Sequence, residues 1–313
     1  MLNTSGLHSN SSQVSVTNSK NEFINLILAL LIIICFFCLF YFMAVMLNVF
    51  LTTSSIRETS RYILFLHMLI NDTCYIAFAT VLLLAANYRL LIPGPTCYLL
   101  FIVGSATFKA TAYNLATMAL ERYVAICHPL RHGGLCTTKG THVAIALMWV
   151  VGSIPYVAEI ILILSSHNVI SFVPIICSQA TVIVNPAQNI IRSQSLMIGF
   201  TTVGLIILFT YVRIILVAQK ISSQSPTALK AGKTVLLHAF QLCLCLASLL
   251  STLTETYPYN YSHFIPTINF LIYSCIPRFL SPLIYGLRDE VLRKYIRQGV
   301  LRTFIWRTGH VSK

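Results

Sequence analysis

The sequence predicts an all-helical integral membrane protein, a bundle of seven transmembrane helices followed by a short amphipathic eighth helix. Three observations predict it. Of 313 residues, 57% are hydrophobic and 9% charged, against about 25% charged in soluble domains. The apolar residues gather into seven stretches of the length that carries a helix across about 30 Å of hydrocarbon. The basic residues fall on alternate segments between those stretches.

The first 22 residues are polar and rich in Ser and Asn, without the charged start, short apolar core and cleavage site of a removable signal peptide. The first span, Phe23 to Leu51, is then expected to act as its own insertion signal. The others run near Tyr62 to Ala86, Tyr98 to Leu120, Val143 to Leu164, Ser195 to Val217, Val235 to Thr254 and Phe264 to Gly286. Loops are short except the stretch from Ser165 to Gln194. Pro155, Pro277 and Pro282 fall inside spans, where they remove a backbone hydrogen bond and kink a helix. Beyond Gly286, basic and apolar residues alternate at helical spacing from Leu287 to Gly299, which reads as an amphipathic helix lying on the inner leaflet. The chain thus divides into an extracellular glycosylated amino terminus (1–22), a seven-helix domain (23–286) and a cytoplasmic amphipathic helix and tail (287–313).

The net charge of +13 raises the question of nucleic acid, and its distribution answers it. Sixteen of the 21 Lys and Arg lie on one side: Arg57 and Arg61; Arg122, Arg131 and Lys139; Arg213, Lys220, Lys230 and Lys233; and seven from Arg288 to Lys313. Lys20, Arg89 and Arg192 are assigned to the opposite side, while Lys109 and Arg278 fall within spans. The positive-inside rule places the tail in the cytosol and the amino terminus outside. The charge therefore reports topology and contact with anionic lipid, and no nucleic-acid partner is expected. Asn3 and Asn10 head glycosylation sequons on the outer segment. Asn71-Asp72-Thr73 fits the same pattern inside the second span, out of reach of any glycosylating enzyme.

Most of the ten cysteines lie in spans or near the cytosol. Cys97 and Cys177 are the two on the oxidising side, and a bridge between them would pin the long outer loop over the mouth of the bundle.

At the inner end of the third span the chain reads Met118-Ala119-Leu120-Glu121-Arg122-Tyr123-Val124-Ala125-Ile126-Cys127-His128-Pro129-Leu130-Arg131-His132. This closely resembles the MAYDRYVAICxPLxY signature of vertebrate odorant receptors, within the rhodopsin-like G-protein-coupled receptors. Cys97 lies 25 residues before Arg122, the spacing those receptors use. Asn48, Asp72, Trp149, Tyr211 and Ser281-Pro282-Leu283-Ile284-Tyr285 follow in order, so the resemblance covers essentially the whole chain. Thr234 to Leu242 and Pro277-Arg278-Phe279-Leu280 look most like fish members. There are departures. Glu121 stands for the usual Asp, Leu120 for Tyr, Ser281 for the Asn of the last motif, and Cys245-Leu246-Ala247 for the Phe-Tyr-Gly of many mammalian members.

The resemblance implies a receptor, not an enzyme. A small-molecule odorant would bind from outside and activate a heterotrimeric G protein, which the resemblance makes the stimulatory olfactory type that raises cAMP. It implies a switch at Glu121, Arg122 and Tyr123 with Tyr211 and Tyr285, although a snorkelling interfacial Arg is the plainer reading of Arg122 alone. It implies a polar network of Asn48, Asp72, Ser281, Pro282 and Tyr285, with a sodium-ion site near Asp72; a protonated Asp that only ties helices together is the other reading. No other cofactor or metal is expected. A ligand pocket beneath the outer loop would draw on Ser105, Phe108, Ser195, Gly199, Leu249, Leu250, Leu253 and Ser274.

Lys109 stands apart, about 18 to 20 Å from either end of the third span at 1.5 Å per residue. An ammonium there must find a counter-charge, an acceptor or water inside the bundle. Glu159 and Glu255 are the carboxylates in the outer half. Two readings stay open: a closed Lys109 to Glu159 pair, or a Lys109 that meets an acidic ligand. A hormone receptor of the same mechanism and, more remotely, a membrane transporter are the alternative functions; no inverted repeat or acidic relay in the sequence supports the latter.

Overall fold

The computed structural model describes residues 5–165, 173–183, 185–221 and 265–280, together with Phe240, Cys243 and Lys294. In chain order the elements are α1 (Ser5–Thr52), α2 (Ser54–Arg57), α3 (Ser60–Asn87), β1 (Leu91–Pro93), α4 (Gly94–Cys127), α5 (Pro129–Leu135), α6 (Thr138–Ser165), β2 (Pro174–Ile176), α7 (Gln179–Val182), α8 (Pro186–Ile221) and α9 (Ile265–Asn269). A π-helical turn, Phe270–Cys275, follows α9, and residues 276–280 continue as helix. Apart from Phe240, Cys243 and Lys294, the expected sixth span and eighth helix lie outside the described residues, as do Ser281, Pro282, Tyr285, Leu249, Leu250, Leu253, Glu255 and Asn3. So does the side chain of Asn10.

Among the described residues, five helices are long and apolar enough to span: Glu22–Thr52 within α1, α3, α4, α6 and Pro186–Val217 within α8. They match the first five predicted spans, with two extensions. The helix of α1 begins at Ser5, well before the apolar span at Glu22. The fifth begins at Pro186 rather than Ser195, which removes Arg192 from the outer loop and buries it in the bundle.

The burial pattern is that of a bundle in lipid, where hydrocarbon solvates apolar side chains and packing with polar contacts joins the helices. Leu147, Val150, Ile154 and Ile161 of α6 and Ile198, Leu205 and Leu208 of α8 face outward, while Asn71, Asp72, Lys109, Thr111, Asn114, Glu159, Arg192 and Arg278 are buried. The central helix is α4, which packs against α3, α6 and α8. Its inner half forms a core of Leu115, Ala116, Met118 and Ala119 against Leu64, Phe65, Met68, Phe200, Val203 and Ile207. Polar ties cross this core. Asn114 donates to the Leu64 carbonyl (2.9 Å), and Trp149 donates from its indole N–H to His67 Nε2 (3.0 Å). Asn71, the intramembrane sequon residue, is buried and donates to the Thr107 carbonyl at 2.7 Å and to Thr111 Oγ1 at 3.0 Å.

At the end of the bundle where α4 begins, β1 and β2 form an antiparallel pair in the register Leu91 to Ile176, Ile92 to Ile175 and Pro93 to Pro174. The next residue after β2, Cys177, is bridged to Cys97 at the start of α4. The bridge lies in an apolar cluster with Tyr98, Ile163 and Val182, on which Leu82 and Phe101 pack.

The last described segment is shaped by Pro277. Its ring would crowd the carbonyl four residues back and it offers no N–H. The wider turn just before it absorbs the conflict: the Ile276 N–H reaches back five residues to the Leu271 carbonyl. Such turns recur at functional sites. Here it sits one turn from Arg278.

Candidate functional site

A cavity of about 210 Å³ opens between α3, α4, α6 and α8. Its walls follow helical spacing. Tyr75, Ala79 and Leu82 come from α3, Phe101, Gly104, Ser105, Phe108 and Lys109 from α4, Tyr156 from α6, and Arg192 and Leu196 from α8. The sets from α3, α4 and α8 recur at three- or four-residue steps, so each is one helix face. On α4 the wall begins four residues inward of Cys97, about 6 Å at 1.5 Å per residue. Leu82 and Phe101 belong both to the wall and to the packing of the cluster around the Cys97 to Cys177 bridge, so that cluster borders the cavity.

Two buried charges of α8 and α6 meet beside it. Arg192 Nε and Nη2 each lie 2.8 Å from Glu159 Oε2, with Glu159 fully buried. The Arg192 guanidinium also lies 4.8 Å from the Phe101 ring centroid. The expected Lys109 to Glu159 pair is therefore not formed, because the extra turns of α8 bring Arg192 to that carboxylate instead. Lys109 Nζ donates to Ser195 Oγ at 2.8 Å and sits 4.5 Å from the Tyr156 ring centroid. Ser195 in turn donates to the Arg192 carbonyl (2.9 Å), which turns its lone pairs toward the ammonium.

Below the cavity lies a second buried pair. Arg278 Nε is 3.3 Å from Asp72 Oδ1, and Thr111 Oγ1 donates to the same oxygen at 2.8 Å. Arg278 Nη1 donates to the Ser274 carbonyl (3.0 Å), and the guanidinium stacks 4.0 Å from the Tyr75 ring centroid and 5.3 Å from that of Phe108. Tyr75 and Phe108 are 5.5 Å apart, and Phe108 continues to Phe200 at 5.6 Å. The carboxylate of Asp72 thus holds a tethered cation. A sodium ion at that oxygen would stand against a like charge, while Asp72 Oδ2 has no hydrogen-bond partner among the described residues.

At the inner end, Arg122 Nε lies 3.5 Å from Glu121 Oε2, and His132 Nε2 of α5 lies 3.3 Å from Glu121 Oε1. Tyr123 Oη and His128 Nε2 are 3.1 Å apart, and the Tyr123 ring packs on Phe209 of α8 at 5.6 Å. Tyr211 is half-buried two residues further along α8.

Of the residues expected in the pocket, Ser105, Phe108 and Lys109 line the cavity. Ser195 positions Lys109. Gly199 does not line it: a Cβ there would come within 2.8 Å of the Tyr113 hydroxyl, so this glycine admits a ring from α4. Ser274 stands behind the wall, its hydroxyl 3.4 Å from that of Tyr75. Glu159 reaches the site through Arg192. Asn48 is exposed on α1, where its carbonyl accepts the Thr52 hydroxyl at 2.8 Å, and the described partners of Asp72 are Thr111 and Arg278 instead. Sequence reasoning missed Tyr75, Arg192 and Arg278 as site residues. One signal was available for each: Tyr75 lies three residues after Asp72, Arg192 three before Ser195, and Arg278 is a buried cation in need of an acid.

A model of the seven-transmembrane receptor (rhodopsin family) domain matches residues 44–285. The chain is 31% identical over 264 residues to odorant receptor 131-2 of Danio rerio, covering 80% of this chain and 79% of that protein. It is 28% identical over 195 residues to olfactory receptor 52A1 of Homo sapiens, 58% of this chain and 61% of the relative. With olfactory receptor 5AK2 of Homo sapiens the identity is 24% over 277 residues, 83% and 88% of the two chains. The family match runs from the last turns of α1 through the sixth and seventh spans, so the bundle is the seven-helix one. The chain belongs to the rhodopsin family of seven-transmembrane receptors and, within it, to the odorant receptors.

Proposed function

We propose that this chain is a plasma-membrane odorant receptor that admits a small organic ligand from the extracellular side into the cavity between α3, α4, α6 and α8. In response it activates a heterotrimeric G protein of the stimulatory olfactory type, raising cAMP. The observation that carries this reading is the cavity itself: aromatic-walled, bordered by the packing of the disulfide-bridged cluster, and backed at Tyr75 and Phe108 by the Arg278 guanidinium. Small-ligand sites have this composition, mostly apolar with a few placed polar groups.

At the other end of α4, Glu121 and Arg122 form the coupling element. Arg122 lies 13 residues beyond Lys109, about 20 Å along the helix. A bound ligand cannot touch it, so signal must travel through the packing of the helices. An Arg whose carboxylate partner is only 3.5 Å away, at the cytosolic boundary, has an alternative partner whenever a G protein enters. Tyr123, Tyr211 and Tyr285 complete the coupling surface in this reading.

The amino terminus faces outward with Asn3 and Asn10 glycosylated, and the basic tail lies on the anionic inner leaflet without binding nucleic acid. The polar network at Asp72 uses the Arg278 guanidinium in place of a sodium ion. Expression of the full chain in cells with a cAMP reporter, challenged with an odorant panel, tests the reading. Ligand-dependent cAMP supports it, and tracer uptake without cAMP would replace it with a transporter.

A further inference from the structure

We propose that the cavity selects small organic acids and that Lys109 binds their carboxylate, an inference that rests on the cavity being the ligand site. Lys109 is 4% exposed in the middle of a membrane span, where an ammonium needs compensation. The near carboxylate, Glu159, is engaged at 2.8 Å by both Nε and Nη2 of Arg192. What Lys109 touches among the described residues is neutral: the Ser195 hydroxyl and the face of the Tyr156 ring. An ammonium has three donors. One goes to Ser195, Tyr156 covers a second direction, and the cavity takes up the remainder.

The charge balance gives the sign of the ligand. Among the described residues Lys109 and Arg192 of the wall, against Glu159 behind Arg192, leave one net positive charge, and the Arg278 to Asp72 pair adds none. In a cleft walled mainly by apolar side chains such an excess attracts anions and repels amines. Ser195 holds the ammonium from the side, because its own proton is committed to the Arg192 carbonyl. Tyr75, Phe101 and Phe108 receive the apolar body. The volume of about 210 Å³ lies below the roughly 300–1,000 Å³ of drug-sized sites, so the acid is small.

The test uses the full receptor in cells with a cAMP readout and two matched series: phenylacetate, phenylacetamide and 2-phenylethylamine; hexanoate, hexanamide and hexylamine. Carboxylates should activate, amides should be at least about tenfold weaker, as loss of a charge-assisted hydrogen bond requires, and amines should be silent. Lys109→Met at normal surface level should lose the acid response, while Lys109→Arg keeps the preference for acid over amide. If Lys109→Met does not reach the surface, Ser195→Ala should weaken the acids several-fold and leave the amides unchanged. Amides or amines as potent as the acids, silence toward every carboxylate, an unaltered acid response in surface-expressed Lys109→Met, or Ser195→Ala without effect on the acids would each overturn the proposal. Ala79→Leu separates the two levels of the argument. Acids weakened by Ala79→Leu but indifferent to Lys109→Met would leave the cavity as ligand site and remove the anion; acids indifferent to Ala79→Leu would remove the cavity.

Discussion

The guanidinium of Arg278 lies 4.0 Å from the ring centroid of Tyr75, and Tyr75 is a wall of the cavity. The residue that neutralises Asp72 is therefore seated on a side chain that a ligand would touch. Tyr75 joins the two sites by direct packing, and its hydroxyl also lies 3.4 Å from that of Ser274 in the π-helical turn. Ligand contact and the position of the last described helix are mechanically linked at this ring.

Tyr75→Leu keeps an apolar wall and removes the aromatic seat. A cation–π contact of this kind contributes about 0.5–2 kcal/mol. The expected outcome is normal surface expression with a lowered maximal cAMP response, the half-maximal concentration moving less than the maximum. Full efficacy in Tyr75→Leu would show that the ring is only a wall.

Arg278→Ala leaves the Asp72 carboxylate buried without its cation, a change that costs about 3–5 kcal/mol in buried pairs. The receptor should lose thermal stability, and Asp72→Asn combined with Arg278→Gln should recover much of it. Exchange of sodium for choline should not alter wild-type signalling, since the guanidinium holds the site. A sodium-dependent shift in the wild-type receptor would refute that assignment.

Cys97 and Cys177 form one bond, so replacing either should abolish surface expression or ligand response. The double replacement should be little worse than a single one, because each single change already breaks the bond. Surface ELISA and cAMP on the same cells read both quantities. Normal signalling by Cys177→Ser would mean that the loop is held by the β1–β2 pairing and its cluster alone.

Arg122→Ala should leave ligand binding intact and remove G-protein activation, as the side chain stands about 20 Å along α4 from the cavity's inner edge at Lys109. Binding of the active ligand by thermal shift, beside nucleotide exchange in membranes, separates the two effects. Undiminished exchange would place coupling elsewhere.

An epitope at the amino terminus should be detected on intact cells and one at the carboxy terminus only after permeabilisation, as the sixteen basic residues on alternate segments require. The reverse pattern would invert the cavity relative to the membrane and remove the proposed route of ligand entry.

Much of this was legible in the sequence. Apolar stretches of membrane-spanning length placed the five long described helices, since backbone polar groups in hydrocarbon have no partner outside a helix. The oxidising side picked out Cys97 and Cys177, and the run around Arg122 identified the family. The burial of Lys109 followed from its position alone. Which acid each buried base meets was decided by the tertiary structure. Glu159 takes Arg192 rather than Lys109 because α8 begins at Pro186, adding turns that carry Arg192 beside α6. Asp72 takes Arg278, which Pro277 and the π turn before it help to orient, while Asn48 faces out on α1. Helical periodicity places residues on a common face, but the rotation of one helix against its neighbour is set only when all of them pack, and a buried charge pairs with whatever that rotation brings within reach.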